Sequence, residues 1–261
     1  ISDGLLESNG EGNPVIYLTA EDDTAVVDIT GGELRSTQTG TGSVISGYNS
    51  GVLNFGGDAK ITATDTQGIT IQDDIEVNIT GGEIHVANTE HPGRTTAVSV
   101  AENSKMDISG GKITSTEGAA LEVEGDAVVD IEAGEFISET SGYNAKAAVI
   151  VDGNAEVTIK GGTFTDNTED GSVVKDSASA TVTISGGIFS SKPDDSLLDA
   201  DMQFSETEDG NFVAGTAVAE INGKPYVLLA QAIAEVQPGE TILLRADVEL
   251  EDDTGLQIIG K

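Results

Sequence analysis

An all-β solenoid, about seven turns of three short parallel strands followed by a small α+β segment, is predicted by three observations. The phrase Val182-Thr183-Ile184-Ser185-Gly186-Gly187-Ile188-Phe189 recurs, with the same apolar spacing, in residues 27–34, 77–84, 106–113, 129–136 and 157–164, and more loosely in 52–61. Its second small residue falls at Gly32, Gly57, Gly82, Gly111, Gly134, Gly162 and Gly187, so the spacings are 25, 25, 29, 23, 28 and 25. No helical periodicity precedes Tyr226, and one period has room for three strands, as Thr163-Phe164-Thr165, Ser172-Val173-Val174 and residues 181–184 illustrate.

Within one copy, alternation puts Val182 and Ile184 on one strand face, and the Gly pair turns the backbone through conformations that a β-carbon obstructs. Equal offsets predict two stacked inward columns. One holds Leu34, Ile84, Ile113, Phe136, Phe164 and Phe189; the other holds Ile29, Ile79, Ile108, Ile131, Ile159 and Ile184. The looser copy has Asn54 where Ile is expected, so Leu53 and Phe55 are predicted to point inward there, with a bulge nearby.

The chain in order begins with polar, Gly-rich residues 1–14, and Val15-Ile16-Tyr17-Leu18 reads as the first strand. Middle strands follow at 43–45, 69–71, 98–100, 121–123, 149–151 and 173–174, each flanked by Gly, Asn or Asp. Variable segments 37–42, 88–96, 139–146 and 166–171 absorb the changes in period, and in a solenoid such loops stack along one edge, the usual binding surface. Residues 1–190 therefore form the coil. Residues 191–215, from Ser191-Lys192-Pro193 onward, lose the Gly-Gly phrase while keeping Leu197, Leu198, Met202, Phe204 and Phe212 for burial, as a degenerate turn and linker.

Residues 216–261 change character. Leu228, Leu229, Ala232, Ile233 and Val236 share one face of a helix over 226–236 that Pro238-Gly239 ends, and strands are expected at 241–244, 248–250 and 256–259. This segment is either a cap or the start of a second coil.

Composition narrows the function. Cys is absent, 37% of residues are apolar and only 4% aromatic, so the core is aliphatic and unsupported by disulfides. With 46 acidic against 12 basic residues the net charge is −34, which disfavours nucleic acid and anionic membranes and suits cations, neutral sugars or a basic partner. No transmembrane run is present. A start at Ile1 without Met reads as an excised mature fragment, and a monomer is expected.

The repeated Ile-Ser/Thr-Gly-Gly-x-Phe/Ile over residues 15–190 resembles the right-handed parallel β-helix regions of secreted surface proteins and adhesins of Gram-positive bacteria, within the pectate-lyase-like fold group. The tail, Ala219-Glu220-Ile221-Asn222-Gly223-Lys224-Pro225-Tyr226 with the helix and Gly239-Glu240-Thr241-Ile242, looks like the opening of another such module. The resemblance implies a right-handed coil and an extracellular, cell-surface or secreted location. Carbohydrate-binding coils of cellulolytic bacteria use a similar strand-Gly-Gly phrase. The calcium nonapeptide Gly-Gly-x-Gly-x-Asp is absent, since Glu33, Glu83 and Lys112 follow the Gly pairs.

Candidate chemistry is sparse. Asp22-Asp23, Asp73-Asp74 and Asp252-Asp253 offer oxygens of the kind Ca2+ takes, but none belongs to a recognisable loop, so Ca2+ is the one cofactor considered and no metal ligand is assigned. A lyase or hydrolase would need clustered carboxylates with a basic partner, and no such constellation is visible. The most distinctive loop is Glu90-His91-Pro92-Gly93-Arg94, whereas His85, between Ile84 and Val86, faces solvent. The expected ligand edge comprises His91, Arg94, Tyr143 and Lys146, with Thr89 and Asp170, because it gathers length variation, an aromatic and cations that could hold an acidic sugar or carboxylate. A non-catalytic surface module, binding a glycan or host surface protein or serving as a spacer, is thus the leading class. A polysaccharide lyase or glycoside hydrolase on the same fold is the alternative.

Overall fold

The computed structural model describes residues 1–9, 12–20, 25–37, 42–88, 96–139, 147–167 and 173–247. Among the described residues twenty strands join in one hydrogen-bonded set, most of them in a parallel β-solenoid of about six turns rather than seven. Its sheets follow one another within each turn. Sheet 1 carries the strand before the Gly pair, among them Val26–Ile29, Glu156–Ile159 and Thr181–Ile184. Sheet 2 carries the strand after it, including Glu33–Ser36, Lys60–Thr64 and Thr163–Asp166. Sheet 3 carries the middle strand, including Gln67–Ile71, Val98–Val100, Leu121–Val123 and Val149–Val151. Some strands, such as Asp74–Ala87 and Lys105–Ser115, run straight through the Gly corner and serve two sheets.

Both inward columns form as the repeat requires. Leu34, Ile61, Ile84, Ile113, Phe136, Phe164 and Phe189 pair turn to turn, as do Ile29, Phe55, Ile79, Ile108, Ile131, Ile159 and Ile184, and every one is at most 1% exposed. Fully burying each such side chain contributes roughly 1.5–3 kcal/mol. The rings of Phe136 and Phe164 stack at 4.8 Å, and those of Phe164 and Phe189 at 5.0 Å. Leu53 and Phe55 do point inward, and irregularities flank their strand: pairing with Ala20 slips at Asn49 and Ser50, and Asp58-Ala59 are extra residues after Gly57.

The Gly pairs are needed twice over. The second member is left-handed in all six Gly pairs and at Gly134 of the Ala133-Gly134 corner, from φ 60° at Gly57 to 131° at Gly134. Neighbouring coils also approach too closely for a side chain, since a β-carbon on Gly186 would lie 2.1 Å from the Lys160 carbonyl oxygen. Conformation thus selects glycine at the second position of each corner and backbone packing reinforces it at Gly57, while packing alone selects Gly186 at a first position that Ala133 fills in its own turn.

The two ends differ from the sequence expectation. Leu5–Ser8 already forms a sheet 2 strand, pairing with Glu33–Ser36, so the coil starts ahead of Val15. Gly4, at φ 91°, lets the chain turn into it, which the polar composition of residues 1–14 concealed. At the other end Met202–Glu206 and Phe212–Thr216 make an antiparallel hairpin whose second strand pairs antiparallel with Ile188–Phe189. Phe204 meets the Phe189 ring edge-on at 5.8 Å, and Leu198 bridges to Ile184.

Beyond the hairpin, Ala219–Ile221 is the centre of a separate three-stranded antiparallel sheet with Lys224–Tyr226 and Ile242–Leu244. Asn222-Gly223, both left-handed, form its two-residue turn. The helix is Leu229–Glu235, shorter than expected, because Lys224–Tyr226 is drawn into that sheet and Leu228 stays extended. Leu229, Ala232 and Val236 pack on Ala219, Ile221 and Tyr226, whereas Ile233 lies outside this contact and is 36% exposed. The strands expected at 248–250 and 256–259 lie outside the described residues.

Candidate functional site

On the outer faces, several polar side chains engage their equivalents one turn away. In sheet 1, Asn54 Nδ2 donates to Asp28 Oδ1 at 2.6 Å and Asn78 Nδ2 donates to Asn54 Oδ1 at 2.9 Å. In sheet 2, Glu33, Lys60, Glu83, Lys112 and Glu135 occupy one outward column with alternating sign. Lys60 approaches Glu83 at 3.6 Å and Lys112 approaches Glu135 at 3.1 Å. Rungs about 4.8 Å apart place such groups within reach of one another. Arg35 forks onto Glu33 at 3.0 and 2.8 Å, and this bond, more than the weaker one from Thr62, holds the Glu33 carboxyl below its ordinary pKa. His85 occupies this outer face, half-buried, as its alternation implies.

The turns from sheet 3 to sheet 1 are acidic. Burial in the stacked turns, then the charges of Glu122, Asp152 and Glu102, push the Glu124 pKa up, although the residue keeps an exposed surface. Thr96 Oγ1 donates to Glu122 Oε2 at 2.7 Å. Among the described residues no group of three or more His, Asp or Glu is arranged to hold a metal ion. Of the acidic pairs weighed for Ca2+, Asp73 accepts the Asn49 backbone N–H at 3.0 Å, while Asp22-Asp23 and Asp252-Asp253 lie outside the described residues. No described helix is long and apolar enough to cross a membrane.

The ligand edge expected from the sequence, His91, Arg94, Tyr143 and Lys146 with Thr89 and Asp170, lies outside the described residues. The structure instead brings together a pair that the sequence reading passed over. Tyr17 projects from the outer face of sheet 3, 59% exposed, and its ring lies 5.5 Å from that of half-buried Tyr48 at an interplanar angle of 37°. Tyr17 stands opposite Ser46 and Tyr48 opposite Thr19, so the rings meet across a diagonal. Asn49, left-handed at φ 65°, donates through Nδ2 to Thr19 Oγ1 at 2.9 Å. Alternation between Ile16 and Leu18 already turns Tyr17 outward. Its meeting with Tyr48 depends on a register of 29 residues, which the Gly-pair period does not specify.

No protein-family model, curated protein or solved structure matches this chain.

Proposed function

We propose that this chain is a non-catalytic, extracellular module of a bacterial cell-surface or secreted protein, similar to the pectate-lyase-like β-helix regions of Gram-positive adhesins, and that it holds a glycan or host surface protein on the side of a rigid rod. The observation that supports this reading is how the outer faces use their polar groups. Asp28, Asn54 and Asn78 bind one another along the axis, as do the pairs Lys60–Glu83 and Lys112–Glu135, and so stiffen the coil instead of converging on a reacting atom. A lyase or hydrolase needs that convergence.

Retention on a panel of glycans, mucin and cultured cells tests the proposal, run beside an assay for new reducing ends or unsaturated sugars from the same polysaccharides. Retention without products is expected. Turnover of any polysaccharide, abolished when the protein is denatured, would establish the enzyme reading in its place.

A further inference from the structure

We infer that Tyr17 and Tyr48 form a stacking platform for a neutral pyranose ring of a glycan, an inference that rests on the reading of the chain as a ligand-holding module. The first ground is how aromatics are distributed. Among the described residues Phe55, Phe136, Phe164, Phe189 and Tyr226 are buried, and Phe204 and Phe212 pack against the core. Of the described aromatics, Tyr17 and Tyr48 are the ones left on an outer face, and they are in contact with each other. Turning a ring outward on a strand forfeits the burial that the same residue would contribute inside.

The second ground is preorganisation. Tyr17 sits on Ile16–Ala20, anchored by inward Leu18, and Tyr48 lies on the strand that pairs with it in parallel register. Asn49 follows Tyr48 and is tied on both sides, its N–H to Asp73 Oδ2 and its side-chain amide to Thr19 Oγ1. Because Thr19 Oγ1 accepts in that bond, its O–H can donate to a sugar oxygen beside the rings. A fixed apolar face rimmed by an amide and a hydroxyl suits the C–H face and equatorial hydroxyls of a pyranose, and little conformational freedom is lost on binding.

The third ground is charge. The carboxylate tied to the platform is that of Asp73, on a chain of net charge −34. The cations Arg35, Lys60 and Lys112 lie on sheet 2 and are engaged by carboxylates. An anionic sugar would be repelled here, whereas a neutral one has no charge to desolvate.

The test titrates the full chain with neutral oligosaccharides built from hexoses and N-acetylhexosamines, and with sialylated or uronate-bearing counterparts. Isothermal titration calorimetry reads binding in wild type and variants alike, because the Tyr17 and Tyr48 fluorescence is removed by the substitutions themselves. Wild type is expected to bind at least one neutral glycan. Tyr17→Ala with Tyr48→Ala should weaken it by about tenfold or more, as loss of ring contacts implies. Tyr17→Phe with Tyr48→Phe should stay within about threefold, because the faces remain. Tyr17→Ala alone, at the more exposed ring, keeps the test valid if the double variant loses its fold. Equal neutral-glycan binding by wild type and a folded Ala variant overturns the platform. So does binding confined to acidic glycans, or to host proteins, and those results leave the proposed module intact. Retention on neither glycans nor cells overturns both.

Discussion

The two ends of the coil solve the same problem differently. At the C-terminal end the last sheet 2 strand, Ile188–Phe189, meets an antiparallel hairpin, and Phe204 packs perpendicular to the buried Phe189 ring. At the N-terminal end Leu5–Ser8 pairs, among the described residues, with Glu33–Ser36 alone, and Leu6, in register with buried Leu34, is 45% exposed. A parallel stack offers its next rung to any strand, and reversal of direction is an economical way to stop it. The first turn has no such reversal among the described residues.

Four experiments sharpen this contrast. Ile159→Asp, midway between the ends, should have the largest effect. It places an unpaired carboxylate among residues with no exposure, costing more than about 4 kcal/mol, so the cooperative transition seen by circular dichroism should be lost. Removal of the hairpin is next. A chain ending at Ser190 should melt well below the parent and self-associate, whereas one ending at Gly215 should differ little, because two cross-connections to the tail are Val227 N–H to Ser205 Oγ and Gln231 Nε2 to the Glu206 carbonyl. An equal loss in both truncations would make residues 216–261 part of the cap.

Single side chains give smaller differences. Phe189→Ala, under the hairpin, should cost about 3–5 kcal/mol in urea unfolding, and Leu6→Ala at the open end less than about 1.5 kcal/mol. Similar values would show that the open end is covered in solution. The smallest effect is Glu124→Gln. The folded-state pKa of Glu124 is raised, so its protonated form favours the fold at low pH and that contribution is lost as pH rises through the raised value. The variant should therefore melt slightly higher than wild type near neutral pH, with the gain vanishing as pH drops below the ordinary glutamate range. A gain that persists in acid would rule out the burial and crowding of an ionised carboxylate as the cause.

The expected ligand edge and the tyrosine pair invite the same kind of comparison. Replacing His91, Arg94, Tyr143 and Lys146 together with Ala should abolish capture of acidic sugars if that edge binds them, while leaving the Tyr17–Tyr48 platform untouched. Binding assays on the two variant sets side by side separate the sites.

What the sequence alone determined is the repeat and everything tied to it: the three-strand turn, both inward columns and the left-handed Gly corners. One turn cannot bury its apolar face, so the same offsets must recur wherever the next turn covers it, and a recurring offset is readable without coordinates. Only the tertiary structure decided the rest. Phe212–Thr216 reverses against Ile188–Phe189, Tyr226 leaves the predicted helix for the strand Lys224–Tyr226, and Tyr17 finds Tyr48. Each depends on which distant strand supplies the partner hydrogen bonds, and local side-chain pattern carries no information about a partner many residues away.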